Sequence, residues 1–136
     1  MDIHWLDADK GGPYDALDAA LQVHSVRKIW VVVPSEEDVA AAARELDARD
    51  YTVAVGHDAA AFLAGYAKVL VCSKDTFQAH PQAFAPLATR RDAQGGLLCN
   101  VLVLADLTDH AASGCLQWWH RQTAGQHGAV LRVLWM

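Results

Sequence analysis

Polar residues suited to binding a ligand follow the first apolar run of this sequence. Lys10, Gly11 and Gly12 stand between that run and Pro13, at the start of a helical pattern. Backbone N–H groups in such a loop, together with the positive end of a helix, can hold an anion. The complete glycine fingerprints of dinucleotide-binding and P-loop sites are absent, and a tight turn before Pro13 is the alternative interpretation.

The segment Asp7-Ala8-Asp9, directly before this loop, resembles the first motif of haloacid-dehalogenase-like phosphatases. The resemblance implies a small phosphatase-like hydrolase in which Asp7 is the nucleophile, Asp9 the general acid and Asp106 a ligand of Mg²⁺. Later residues follow the order of the remaining motifs: Ser35 for the second, Lys68 or Lys74 for the third, and Asp106 with Asp109 for the fourth. Turn formation and helix capping are the alternative roles of these acids.

A second resemblance covers residues 29–104. The run Val69–Cys72 is followed by Ser73 and a short helical pattern, which is similar to Toll/interleukin-receptor-like domains. Enzymatic members of that family cleave NAD with a glutamate on this helix. Residues 77–87 contain no glutamate. The resemblance therefore implies a non-catalytic scaffold.

Further ligand-binding residues are expected where later apolar runs end. His57 and Asp58 follow one run, and Ser73 and Lys74 follow another. Open α/β sheets bind ligands beyond the carboxyl ends of their strands, so these residues complete the predicted site for a small anionic ligand. A surface histidine and helix caps are the alternative roles.

No metal site and no cofactor is predicted from the histidines and cysteines. The seven histidines show no H-x-x-x-H or H-E-x-x-H spacing. The three cysteines form no C-x-x-C pair. Cys72 lies inside an apolar run and is expected to be a buried thiol rather than a nucleophile.

Trp118, Arg121 and Trp135 are the predicted interface residues. Trp119 falls on the inward stripe of its helix, which turns Trp118 about 100° away, and Trp and Arg are enriched in binding hot spots. The chain ends on the apolar run Val130–Met136. At a sheet edge this run would need cover, which a second copy could supply. The sequence therefore predicts a homodimer through the C-terminal strand or the Trp118 helix.

The elements that position these residues are predicted from hydrophobic periodicity. Six apolar runs are expected to be strands: Ile3–Leu6, Ile29–Val33, Tyr51–Val55, Val69–Cys72, Val101–Leu104 and Val130–Trp135. Helical patterns separate them, with starts at Pro13, Ser35, Asp58 and Thr108 or Asp109. Continuous β-branched runs suit strands buried on both faces. Residues 75–98 break the alternation, with two prolines and a polar loop that ends in glycines.

The predicted fold is a single α/β domain over residues 1–136. It has three layers (α/β/α) around a mostly parallel, doubly wound sheet of about six strands, in a Rossmann-like or flavodoxin-like order. In either order the loop after the first strand is expected at the centre of the sheet.

Composition and charge narrow the range of possible functions. The chain has 136 residues, about half of them apolar, and a formal net charge of −5 with scattered basic residues, which disfavours nucleic-acid binding. No apolar run approaches the ~20 residues that span a membrane, and the acidic start is unlike a signal peptide, so a cytoplasmic location is expected. The predicted function is a soluble small-molecule-binding or protein-interaction module, and the sequence leaves open whether the protein is an enzyme.

Overall fold

Six parallel strands form one sheet in the part of the chain that the structure describes. The computed structural model describes residues 3–6, 13–23, 26–123 and 129–133. The strands are β1 Ile3–Leu6, β2 Lys28–Val33, β3 Val53–Val55, β4 Val69–Ser73, β5 Cys99–Ala105 and β6 Ala129–Val133. They lie in the order β1-β6-β5-β2-β4-β3, and every neighbouring pair is parallel.

Helices fill the connections between the strands. They are α1 Pro13–Val23, α2 Glu36–Asp47, α3 Ala59–Ala64, α4 Lys74–Ala79, a 3₁₀ helix Pro81–Phe84, α5 Ala85–Thr89 and α6 Asp109–Thr123. Side-chain caps start several of them at the predicted residues: Ser35 accepts from the backbone N–H of Asp38, and Asp58 from that of Ala61. None of the helices described is long and apolar enough to cross a membrane.

Two apolar layers cover the sheet, one on each face. Alternate residues of β2 divide between them, because successive side chains of a strand point to opposite faces. Ile29 and Val31 belong to a cluster with residues of α1 and α2, and Trp30 and Val32 to a cluster with residues of α3 to α6. The three-layer, doubly wound α/β fold predicted from the sequence is therefore confirmed.

The predicted position of the loop after the first strand, at the centre of the sheet, is wrong, and the last strand does not lie at an edge. Among the strands that the structure describes, β1 lies at an edge and pairs only with β6, so the loop after β1 does not start from the centre. β6 lies between β1 and β5 and pairs with both. Hydrophobic periodicity shows that a strand is buried, but it does not tell which strands are its neighbours. Because both its backbone edges are paired, Ala129–Val133 offers no open edge to a second copy.

The irregular segment before β5 is mostly helical. Pro81 starts the 3₁₀ helix and Pro86 lies in the first turn of α5, where the missing N–H of proline costs no helical hydrogen bond. Phe77, Phe84 and Leu87 are all buried in the core. The glycine-ended loop is closed by Asp92, whose side chain accepts from the backbone N–H groups of residues 94 and 96.

Candidate functional site

The predicted site at the carboxyl edge of the sheet is described only in part. Asp7, Asp9, Lys10, Gly11 and Gly12, and the interface residue Trp135, lie outside the described residues. The predictions made for them stay predictions. The carboxyl ends of β2, β3, β4 and β5 are described, and they hold the other predicted residues.

A crevice is expected at this edge between β2 and β4. The chain leaves β2 towards α2, on one face of the sheet, and leaves β4 towards α4, on the other face. Neighbouring strands whose connections lie on opposite faces of the sheet leave a gap beyond their carboxyl ends, and open α/β sheets bind ligands in such gaps. The first residues of α2 and α4 therefore flank the gap.

In this structure a carboxylate of the protein itself spans that crevice. Glu36, at the start of α2, accepts hydrogen bonds from the hydroxyls of Ser73, at 2.6 Å, and Thr76, at 2.7 Å. These bonds, that of Ser73 before that of Thr76, lower the pKa of Glu36. Ser73 also caps α4 by accepting from the backbone N–H of Thr76 at 3.1 Å. The arrangement explains Ser73 as a buried cap that joins two helices, while its predicted role in ligand binding stays a prediction.

The other ligand-binding residues predicted at this edge also have local partners. Asp58 caps α3 through its bond to the backbone N–H of Ala61, at 3.1 Å. The ring of His57 stacks on that of His80, with 4.6 Å between centroids. Lys74 forms an ion pair with Asp75 at 3.2 Å. His57 and His80 lie on adjacent loops, which sequence spacing did not indicate.

The acids after β5 differ from one another in their surroundings. Asp109 accepts from the buried guanidinium of Arg132 at 2.6 Å, which ties β6 to the start of α6. Asp106 has the left-handed backbone conformation, with φ at 56°. β6 lies between β1 and β5, so the ends of β1 and β5 are about 10 Å apart at the usual strand spacing. Within the described ranges, no group of three His, Cys, Asp or Glu side chains could hold a metal ion.

The three thiols are buried in the core. Cys72, Cys99 and Cys115 are all free cysteines, and burial raises the pKa of each to about 12. A thiol in this environment is not ionised at neutral pH, so it is a poor nucleophile. This agrees with the prediction that Cys72 is a core residue.

A groove between helices is a second concave feature of the residues that the structure describes. It has a volume of about 400 Å³ and lies between α4, the 3₁₀ helix and α6. Phe77, Gln78 and Pro81 form one wall. The other wall is a stripe of α6, whose members recur at helical spacing along one side: His110, Gly114, Gln117, Trp118 and Arg121.

Trp118 connects this groove with the core. Its ring is half-buried and packs edge-to-face on Phe77, at 5.1 Å between centroids, and on the fully buried Trp30, at 5.8 Å. These contacts hold the ring in one orientation while part of it stays open to the groove. A rigid aromatic ring of this kind is the usual anchor of a binding hot spot.

The charge of the groove is opposite to that of the whole chain. Among the described residues that line it, none is acidic, and His110 and Arg121 are basic. The chain carries a formal charge of −5. The groove therefore suits a negatively charged group more than the remaining surface does.

Sequence reasoning found two residues of one wall of this groove and missed the other wall. Trp118 and Arg121, predicted as interface residues, both line it. Gln78 and Pro81 were not identified, because they belong to the irregular segment whose position against α6 no periodicity encodes. The recurrence of His110, Gly114 and Arg121 on the side of α6 that holds Trp118 was a signal in the sequence that could have extended the prediction.

Comparison with known proteins identifies the fold alone. No protein-family model matches the chain. No curated protein matches it either. Among solved structures, the C-terminal domain of S. cerevisiae Dbp5, solved bound to Gle1 and IP6, has a TM-score of 0.64 at 14% sequence identity and covers 98% of this chain and 75% of that one. A second structure of the C-terminal domain of the DEAD-box protein Dbp5 has a TM-score of 0.64 at 13% identity, over 100% and 77% of the two chains.

Proposed function

We propose that this protein is a protein-interaction module and that the groove between α4 and α6 binds a segment of its partner. The observation that carries the proposal is the position of Trp118, fixed by Phe77 and Trp30 and open on one side to the groove. The volume of about 400 Å³ accommodates one or two bulky side chains. The Dbp5 domain of the same fold was solved bound to a protein, Gle1.

The groove favours a particular partner chemistry. Its lining is aromatic at Phe77 and Trp118, which suits an apolar side chain. Arg121, which lies one turn from Trp118 on α6, and His110 also line it, which suits a carboxylate beside that side chain. The expected ligand is therefore a short protein segment that carries a bulky apolar residue next to Asp or Glu.

Selection from a random peptide library displayed on phage tests this function. Peptides are selected on dilute immobilised protein, and their binding is then measured on Trp118→Ala, on Arg121→Glu and on a matched control, Tyr66→Ser, which changes a fully exposed aromatic residue outside the groove. We expect the selected peptides to carry an apolar residue beside an acid. They should bind both groove variants at least ~10-fold more weakly than the unmodified protein and bind the control with unchanged affinity. Failure to select any peptide, or peptides indifferent to both groove variants, would contradict the proposal.

A phosphatase-like hydrolase is the second proposal, and one observation favours it. Asp106 has a left-handed backbone at the carboxyl end of β5, and backbone strain of this kind is concentrated at functional sites. Hydrolysis of p-nitrophenyl phosphate with Mg²⁺ is the test. Turnover that Asp7→Asn and Asp106→Asn both abolish supports the hydrolase, and absence of turnover by the unmodified protein contradicts it.

A further inference from the structure

Gly114 occupies a position that the fold itself does not require to be glycine. It lies in the middle of the 15-residue helix α6, where glycine destabilises a helix relative to alanine. Its backbone is not in the left-handed region, and a Cβ added there would meet nothing within 4 Å. Neither backbone geometry nor internal packing therefore explains the residue. Its open side faces the groove, since Gly114 lines it.

A glycine in this setting allows close approach by another backbone. Packed helices lie about 8–10 Å apart, and their Cα atoms lie about 2.3 Å from each axis. At the short end of that range, facing Cα atoms are only about 3–4 Å apart, which leaves no room for a side chain on either helix. Gly114 lies midway between His110 and Trp118 on the stripe of α6 that lines the groove.

We propose that the partner in this groove is a second copy of the chain, whose α6 crosses the first α6 antiparallel at Gly114. This inference rests on the proposed function of the groove and names its occupant. Two-fold symmetry places Gly114 of each protomer against the partner's Gly114, where both lack a side chain. The C-terminal strand is not needed for this contact.

The register that follows from this symmetry brings complementary groups together. Residues n positions before and after 114 face each other, so Trp118 meets the partner's His110, and Arg121 reaches the first turn of the partner's α6. Asp109 stands in that turn with a side chain that is 93% exposed. Its carboxylate accepts one bond from Arg132 and has lone pairs for a second donor. In this register the second copy supplies an aromatic ring opposite His110 and an acid within reach of Arg121, both at residues that line the groove.

Sedimentation velocity over a concentration series tests the association. We expect the mean mass to rise from that of one chain towards that of two between about 1 µM and 1 mM. Gly114→Leu should raise the dissociation constant at least ~10-fold, because its side chain collides across the contact, whereas its Cβ meets nothing within 4 Å inside the protomer. Ala64→Leu, at an exposed position of α3, is the matched control and should leave it unchanged. Circular dichroism checks that both variants keep their helices. If Gly114→Leu loses its helices, Gly114→Ala replaces it in the measurement.

Disulfide formation tests the register. Gly114→Cys weakens the contact but should still form an intermolecular disulfide under oxidised glutathione, because encounters in this register bring the Cα atoms within the roughly 7 Å that a disulfide needs, and the covalent bond then traps them. Gln117→Cys should react far more slowly, since three residues on each side separate the two copies by about 9 Å along the axis. The native cysteines do not compete, because all three are buried.

The outcomes separate this inference from the function on which it rests. A mass of one chain at every concentration, or a dimer unaffected by Gly114→Leu, overturns the inference. Equal cross-linking rates at positions 114 and 117 also overturn it. If the protein is a monomer that still binds the selected peptides through Trp118, the inference of a second copy fails and the proposed interaction function stands. If the inference holds, the selected peptides dissociate the dimer.

Discussion

The carboxylate of Glu36 accepts a hydrogen bond of 2.6 Å from the hydroxyl of Ser73. This bond joins α2 and α4, which lie on opposite faces of the sheet, across the gap between β2 and β4. One place where an open α/β sheet is expected to bind a ligand is thus spanned by an anion of the protein itself. The binding surface that we propose lies elsewhere, between α4 and α6.

Replacing Glu36 by Gln should lower stability at neutral pH. The folded-state pKa of Glu36 is held below its ordinary value of 4.5 by the bonds from Ser73 and then Thr76. The stabilisation is therefore present above that ordinary value and is lost as the pH falls through the folded-state pKa. Since the side chain is exposed, we expect a loss of only about 0.5–1 kcal/mol.

Urea unfolding of Glu36→Gln from pH 7 to pH 3 measures this effect. Glu37→Gln is the matched control, because both acids lie in the first turn of α2 and both favour the helix dipole. The difference between the two variants should shrink as the pH falls below the ordinary value of 4.5. A difference that does not change with pH would contradict the assignment to an ionised Glu36.

Two buried tryptophans should respond differently to replacement by Phe. The indole N–H of Trp30 donates to the sulfur of Cys72 at 3.3 Å. That of Trp119 is buried with no hydrogen-bond partner among the described residues. Both variants lose the same ring volume, but only Trp30→Phe loses a hydrogen bond, while Trp119→Phe removes an unsatisfied donor. We expect Trp119→Phe to be less destabilising by about 1–2 kcal/mol, measured by urea unfolding. Equal losses would indicate a partner for Trp119 that the structure does not contain.

The thiols should be unreactive until the protein unfolds. Burial raises the pKa of Cys72, Cys99 and Cys115 to about 12, so little thiolate is present at pH 8. With Ellman's reagent we expect three thiols to react in guanidinium chloride and none rapidly in the folded protein. Rapid reaction of one thiol in the folded state would show that it is accessible and ionised.

Gly114→Ala should stabilise the isolated protomer. A methyl group there meets nothing within 4 Å and favours the helix, so we expect a gain of about 0.5–1 kcal/mol, measured at concentrations where the protein is monomeric. Gly65 is the contrasting position, because a Cβ would lie 3.1 Å from the carbonyl oxygen of Ala61. Gly65→Ala should give no gain. A loss of stability for Gly114→Ala would show that the fold itself needs the glycine, which would remove the basis of the inferred contact.

Local chemistry was predictable wherever neighbours in the chain decide it. Ser35 and Asp58 cap helices as predicted, because the bond of a cap joins residues three apart. Leu17 and Leu21 in α1, and Ala42 and Leu46 in α2, are buried, and the residues of each pair are four apart, a helical spacing that is visible in the sequence. The helices at residues 74–89 were less visible, since their short, proline-containing turns show no sustained period.

The sequence by itself determined the layers of this protein, because burial on both faces leaves a continuous apolar pattern in β2 and β5. It also indicated that Trp118 and Arg121, on one helix, belong to an interface. The tertiary structure alone decided that β6 lies inside the sheet and β1 at its edge, that Glu36 reaches Ser73, and that Pro81 faces α6. These contacts join residues far apart in the chain. They depend on the order in which strands pair, and strands of equal hydrophobicity carry no record of that order.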